Sequence, residues 1–298
     1  MLVTIFVVVT LTFVIMQLLP GTPYENQEKL SDEQIASLDK KYGFDQPIAV
    51  QYVNYISNVA KGELGDSFQF NGRSVTKVIS ERLTVSAVLG VESIIVGTIL
   101  GIMLGVIAAL RQGTFTDYGS VVIAVLGISI PSFLLAILLQ YGFAMKLGWF
   151  PVAYWKSPIY HVLPVIALAT GILAQISRFM RTEMVEVLES DYITFAKSKG
   201  LTPFVVIVKH SIRNAIIPVI TIIGPLTAGI ITGSLVIEQI FAIPGIGEQF
   251  VQSIYTNDYP VIMGTTIIYT VAFVFIIFIT DLLYGVVDPR IRLQGGNS

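Results

Sequence analysis

The chain has 298 residues, of which 54% are hydrophobic and only 13% charged, and its mean hydropathy is +0.76. A soluble domain is roughly one quarter charged, so this balance excludes an ordinary soluble enzyme, and it also excludes a disordered chain, which would be poor in apolar residues. A net charge of −2, no cysteine and two histidines, His161 and His210, leave no disulfide scaffold, thiolate site or histidine metal cluster, and the implied apolar solvent is a lipid bilayer.

A helix needs about 20 apolar residues to cross the hydrocarbon core. Six stretches qualify, roughly 1–19, 84–110, 119–145, 159–178, 215–237 and 261–285. Their apolar runs are continuous, unlike the short alternating segments of a membrane barrel. The expected fold class is therefore an all-α integral membrane protein with six transmembrane helices. The first stretch ends at Leu19-Pro20-Gly21-Thr22-Pro23, which reads as a helix stop without the small-residue cleavage site of a signal peptide. No Lys or Arg precedes it, which points to a start upstream of Met1. Residues 20–83 then form a loop with two short helices. One runs from Ser31-Asp32-Glu33-Gln34 to about Tyr42, with Gly43 at its end; the other runs from Gln51 to Ala60, followed by Gly62 and Gly65. Such a loop forms either a small cap or a solvated connector.

Span two carries Gly97, Gly101 and Gly105 on one helix face, the spacing that lets another backbone approach closely, and span five repeats the device with Gly229 and Gly233. Pro131, Pro164, Pro218 and Pro225 predict kinks rather than breaks. Lys and Arg gather in short cytoplasmic loops. Segment 178–213 holds Arg178, Arg181, Lys197, Lys199, Lys209 and Arg213, whereas 238–260 holds Glu238, Glu248 and Asp258 and no Lys or Arg. The first is therefore placed inside and the second outside, with both termini inside and 20–83 external. Trp149 and Trp155 flank an external loop, as interfacial aromatics do. The expected organisation is span one at 1–19, an external cap at 20–83, a permeation core at 84–285 that includes the inner loop 178–213, and a cytoplasmic tail at 286–298.

Charges and polar groups within spans are costly and face water or protein. Glu92, Gln140 and Glu238 are candidate pathway residues, and Asp281 lies near the inner end of span six. No chain of intramembrane acids suggests an ion-driven transporter. His161 and His210 fall on opposite sides of the membrane, which opposes a shared enzymatic site. The sequence also lacks the Gly-rich phosphate loop that ends in Gly-Lys-Ser/Thr. No catalytic residue, metal ligand, cofactor or nucleic-acid partner is expected of this chain.

The inner loop is the most structured of the connections. Residues 180, 184, 187 and 188 share a face, so span four continues into the cytoplasm. Asp191 can cap a short helix from Tyr192 to Lys199, Gly200 can end it, and Thr202-Pro203 can start a third piece. A short helix held between two others is a shape for docking; a solvated connector is the alternative.

Asp191-Tyr192-Ile193-Thr194-Phe195-Ala196-Lys197-Ser198-Lys199-Gly200-Leu201, followed by His210-Ser211-Ile212-Arg213-Asn214-Ala215-Ile216-Ile217-Pro218, resembles the cytoplasmic signature of ABC-importer permeases. Thr194 and Phe195 depart from the commonest Glu-Ala-Ala form and fit the dipeptide/oligopeptide/nickel branch. Leu19-Pro20-Gly21-Thr22-Pro23, Leu64-Gly65-Asp66-Ser67, the run Glu238 to Gly247, Asp258-Tyr259-Pro260 and Asp288-Pro289-Arg290-Ile291-Arg292 resemble that branch's other blocks in order. The long loop after span one is similar to its B-type subunit. The resemblance implies a type I importer architecture in the bacterial cytoplasmic membrane. It further implies a heterodimer with a second permease, two cytoplasmic ATPase subunits that use ATP and Mg, and an external peptide-binding protein. Asp191, Tyr192, Phe195, Ala196, Lys197, Lys199, Gly200 and Leu201 would make the contact with the ATPases. Within the branch, nickel or another small solute is the alternative to peptide.

Overall fold

The computed structural model describes residues 1–18, 31–70 and 72–287. The Leu19–Pro23 helix stop and the 286–298 tail motif from Asp288 onward lie outside them. The described chain is helical, and by contact it divides into two compact units: residues 1–86 with 244–274, and 87–243 with those from Phe275 on.

In the first unit, α1 (Leu2–Leu18) is apolar and carries Phe13 against Tyr52 and Tyr55 of α3 (Ile48–Ala60), with ring centroids 5.3 and 5.5 Å apart. Between them, α2 (Asp32–Tyr42) begins with a reciprocal cap: Ser31 Oγ accepts the Gln34 N–H, and Gln34 Oε1 accepts the Ser31 N–H at 2.9 Å. Gly43 ends it at φ 76°. The helix expected from Ser31 to Tyr42 is thus present, and α3 starts three residues earlier than expected because Pro47 opens it.

Two blocks separated by 191 residues meet in this unit. Asp258, almost fully buried, accepts the Ser67 hydroxyl and the backbone N–H of Phe68 at 3.1 Å. Its carboxylate thereby holds the turn that follows Leu64-Gly65. Below the turn, Val75 and Ile79 at the start of α4 (Val75–Leu110) pack on Ile246 of α11 (Ile246–Tyr255) and Val261 of α12 (Tyr259–Val287). Arg82 and Glu248 add an ion pair at 2.6 Å.

The second unit is organised around α7 (Val162–Glu189), with buried residues along its length from Leu163 to Met184. Ile172, Ile176, Met180 and Met184 form a core with Ala215 and Val219 of α10 (Arg213–Ile240). Lipid tails give apolar helices no hydrophobic reason to associate, so contact depends on close approach. The Gly97-Gly101-Gly105 face supplies it. A Cβ at Gly97 would lie 2.8 Å from the Ala169 carbonyl oxygen, at Gly101 2.9 Å from Ile176 Cβ, and at Gly105 2.6 Å from the Ser177 carbonyl oxygen. The expected seam is real. In span five a Cβ at Gly229 would meet nothing within 4 Å, so Gly229 is not packed as the seam glycines are; the packing of Gly233, its expected companion, lies outside what is described.

Among the described residues, four helices are long and apolar enough to cross a membrane, Val75–Leu110, Val162–Glu189, Pro203–Ile230 and Tyr259–Leu282, or five if a bent pair is one span, against the six expected; the apolar α1 is shorter. The span expected at 119–145 is instead two helices, α5 (Phe115–Ser129) and α6 (Ser132–Leu139, prolonged by a π-helical turn to Lys146), bent by 102°. Pro131 is thus a break, not the kink expected. It has no N–H to continue the ladder, and it drives Ile130 out of the helical region to φ −86°, ψ 117°. Pro218 and Pro225 remain inside a continuous α10, as expected.

Candidate functional site

The chain leaves α7 at Glu189 and turns at Ser190 into α8 (Asp191–Ser198). Ser190, with extended ψ 151°, is the N-cap, and Asp191 is the first helical residue rather than the cap expected. Ser190 Oγ donates back to the Val187 carbonyl oxygen at 2.5 Å, which ties the turn to the end of α7. Gly200 stands at φ 77° after α8, the left-handed conformation that glycine adopts without strain. Pro203 then opens α9 (Pro203–Val205), which runs through a π-helical stretch, Val206–Ile212, into α10. Ser211 Oγ donates to the Val206 carbonyl oxygen five residues back, at 3.1 Å, within that wider turn.

Helix α8 has two faces. Ile193 and Ala196 are buried against Val206 and Val187, so this face is anchored on the chain's own helices. Tyr192 and Phe195 stand on the other side, Phe195 60% exposed, and Phe204 nearby is 75% exposed. Lys199 Nζ lies 4.4 Å above the Phe195 ring. Asp191, Lys197, Lys199, Gly200 and Leu201 are also exposed. Of the eight residues expected to make a docking contact, Ala196 alone faces inward. The result is a rooted helix presenting Tyr192 and Phe195, with Lys199 over the Phe195 ring.

The three pathway candidates are not gathered at one cavity. Both oxygens of Glu92 lie within 3.1 Å of His161 Nδ1, and the His161 ring stacks on Trp155 with centroids 3.6 Å apart. Gln140 Nε2 donates to the Val152 and Ile240 carbonyl oxygens at 2.9 and 3.0 Å, joining the end of α6 to that of α10. Glu238 is fully buried, and its carbonyl oxygen accepts the Ile243 N–H.

Sequence reasoning missed an ion pair between a buried acid and a partly exposed arginine. Asp117, in the first turn of α5, accepts Arg181 Nε at 2.6 Å and Nη2 at 2.8 Å, and also the Gly113 N–H at 3.0 Å. This fork joins α5 to the part of α7 that leads into α8. An acid in a first helical turn is commonplace, and no local spacing links residues 64 positions apart, so the sequence carried no signal for the pair.

The family described as binding-protein-dependent transport system inner membrane component matches residues 101–293, and the N-terminal component of such membrane proteins matches residues 1–90. Over 292 residues the chain is 50% identical to the dipeptide transport system permease protein DppB of Bacillus subtilis (strain 168), covering 98% of this chain and 94% of that one. It is 39% identical over 291 residues to the oligopeptide transport system permease protein OppB of Escherichia coli (strain K12), covering 97% and 95%. Among solved structures, the MetNI methionine ABC transporter in an inward-facing conformation aligns with a TM-score of 0.59 at 17% identity, over 71% of this chain and 96% of that one. An amino acid ABC transporter crystallised with histidines aligns at 0.55 and 16%, over 70% and 92%. At these identities the two structures support the fold alone.

Proposed function

The chain belongs to the family of binding-protein-dependent transport system inner membrane components, and from that premise we propose that it is one of two permease subunits of an ATP-driven importer of dipeptides and oligopeptides. The observation that carries the reading is α8. Its apolar face is rooted in the chain while Tyr192 and Phe195 stand outside, which suits a helix that sits in the groove of another protein. That protein is a cytoplasmic ATPase subunit, and a pair of them closing on ATP and Mg would push α8 and, through α7 and α10, rock the spans. The membrane subunit itself needs no catalytic group. A second permease completes the passage, and an external peptide-binding protein delivers the cargo. Peptide is favoured as cargo by the dipeptide and oligopeptide permeases that the chain matches over nearly its whole length.

The test is reconstitution of the chain with its partner permease, ATPases and binding protein in liposomes. ATP-dependent uptake of labelled dipeptide is expected; uptake of nickel in its place would overturn the cargo. Orientation is tested in intact cells, where the lack of native cysteines gives a clean background. Asn54→Cys should react with an impermeant thiol reagent and Lys197→Cys should not. Labelling of Lys197→Cys would overturn the inside placement of α8.

A further inference from the structure

The break at Pro131 opens on a cavity of about 340 Å³ within the second unit, lined by α5, α6, α7 and α10. Non-helical backbone at membrane depth is tolerated only where protein buries it or where it lines a water-filled space. Ile130 and Pro131 both line the cavity, and Pro131 is exposed. Ser132 at the start of α6 and Gln175 of α7 line it too, and neither side chain has a hydrogen-bond partner among the described residues. An exposed glutamine in a membrane helix is unfavourable against lipid and suits a wet passage. Gly171 of α7 also borders the cavity, and a Cβ there would meet no atom within 4 Å. No lining residue is charged.

We propose that this cavity is the chain's wall of the translocation passage and that it receives the uncharged main chain of a short peptide in transit. The proposal rests on the importer reading above and deepens it by assigning a transit site. Ser132 and Gln175 offer donors and acceptors that match an amide. Apolar walls without charge neither hold nor repel a particular side chain, so passage tolerates many sequences. The volume lies at the lower end of the roughly 300–1,000 Å³ of small-molecule sites, which suits a stretch of main chain and not a folded domain.

The test uses the complete importer in proteoliposomes. Gly171→Leu projects a side chain from a position where a Cβ meets nothing within 4 Å, and Gln175→Leu removes its amide. Each should lower dipeptide uptake at least tenfold while the ATPases stay bound. Gly119→Leu is the control, since a Cβ there also meets nothing within 4 Å and Gly119 does not line the cavity; it should transport as the unmodified complex does. A second measurement does not depend on how the leucine variants fold. Gln175→Cys should be labelled by a small thiol reagent during turnover, and excess dipeptide should slow that labelling. Undiminished uptake by both leucine variants, or labelling that dipeptide does not slow, would overturn the transit site while leaving the importer reading intact. An unmodified complex that moves no peptide would overturn both.

Discussion

The seam where α4 meets α7 and the cavity beside Pro131 are built with the same residue type to opposite ends. At Gly97, Gly101 and Gly105 the space a Cβ would need is already taken by the backbone and side chains of α7. At Gly171, on α7 itself, that space is empty. Lipid drives neither arrangement, because it solvates an apolar helix as well as a neighbouring helix does. The seam therefore persists through contact density, and the cavity persists because nothing large enough is placed to fill it. A glycine in a membrane helix either admits a neighbour or leaves room for something that moves. Spacing alone does not separate the two: three glycines on one face mark the α4–α7 seam, yet the isolated Gly127, just before the break, also packs closely, with its Cβ position 3.0 Å from Ala174 Cβ.

One side chain placed in both settings separates seam from cavity. Gly101→Leu must displace the Leu173 carbonyl oxygen and the Ile176 Cβ, at 3.0 and 2.9 Å from the position of a first added carbon. Overpacking costs typically about 1–3 kcal/mol and occasionally more, and a leucine driven against backbone falls at or above the upper end, about 3 kcal/mol or more. The purified variant should melt well below the unmodified protein or fail to give a single chromatographic species, while Gly171→Leu keeps the original melting temperature. Equal effects would remove the distinction between seam and cavity.

A second, smaller effect asks whether packing alone holds α5 on α7. Asp117→Ala would strand Arg181, whose side chain is 29% exposed in the pair. Breaking a fully buried pair costs 3–5 kcal/mol, so with that exposure about 2–3 kcal/mol is expected here. Arg181→Met in the same chain should restore most of the lost melting temperature, because a long apolar side chain then replaces the orphaned charge. If the single substitution leaves the melting temperature unchanged, Gly127, whose Cβ would lie 3.0 Å from Ala174 Cβ, and its neighbours hold α5 without the ion pair.

The smallest effect on stability is expected at Gly200, where the chain is exposed and a Cβ meets nothing. A side chain at φ 77° costs roughly 1–2 kcal/mol, confined to one turn. Gly200→Val should lower the melting temperature by only a few degrees and still separate ATP hydrolysis from uptake, because the turn sets how α8 is presented. Transport and hydrolysis like those of the unmodified complex would show that the turn's shape does not matter.

How far the sequence could be read depends on whether the signal is local. The capping pair Ser31 and Gln34, the glycine seam and the short helix before Gly200 each lie within about two helical turns, and each was legible. Leu64-Gly65-Asp66-Ser67 and Asp258-Tyr259-Pro260 were legible as separate blocks. That the Asp258 carboxylate closes on Ser67 was not, because no periodicity relates positions so far apart. The Asp117–Arg181 fork was hidden for the same reason. Pro131 was seen, but its consequence depends on whether neighbouring helices fill the bend, and on one side they leave a cavity. At the start of α8, Ser190 and Asp191 are both good capping types, and only the backbone angle decides between them.

In the proposed importer α8 transmits the work of an ATPase to a peptide passage. This coupling is tested most directly by Tyr192→Ala with Phe195→Ala in the complete importer, which removes the exposed aromatic face and leaves Ile193 and Ala196 in place. This chain should still pair with its partner permease, ATPase subunits should no longer co-purify with it, and ATP-driven dipeptide uptake should be lost. Full retention of the ATPases together with uptake equal to that of the unmodified complex would contradict the coupling through α8.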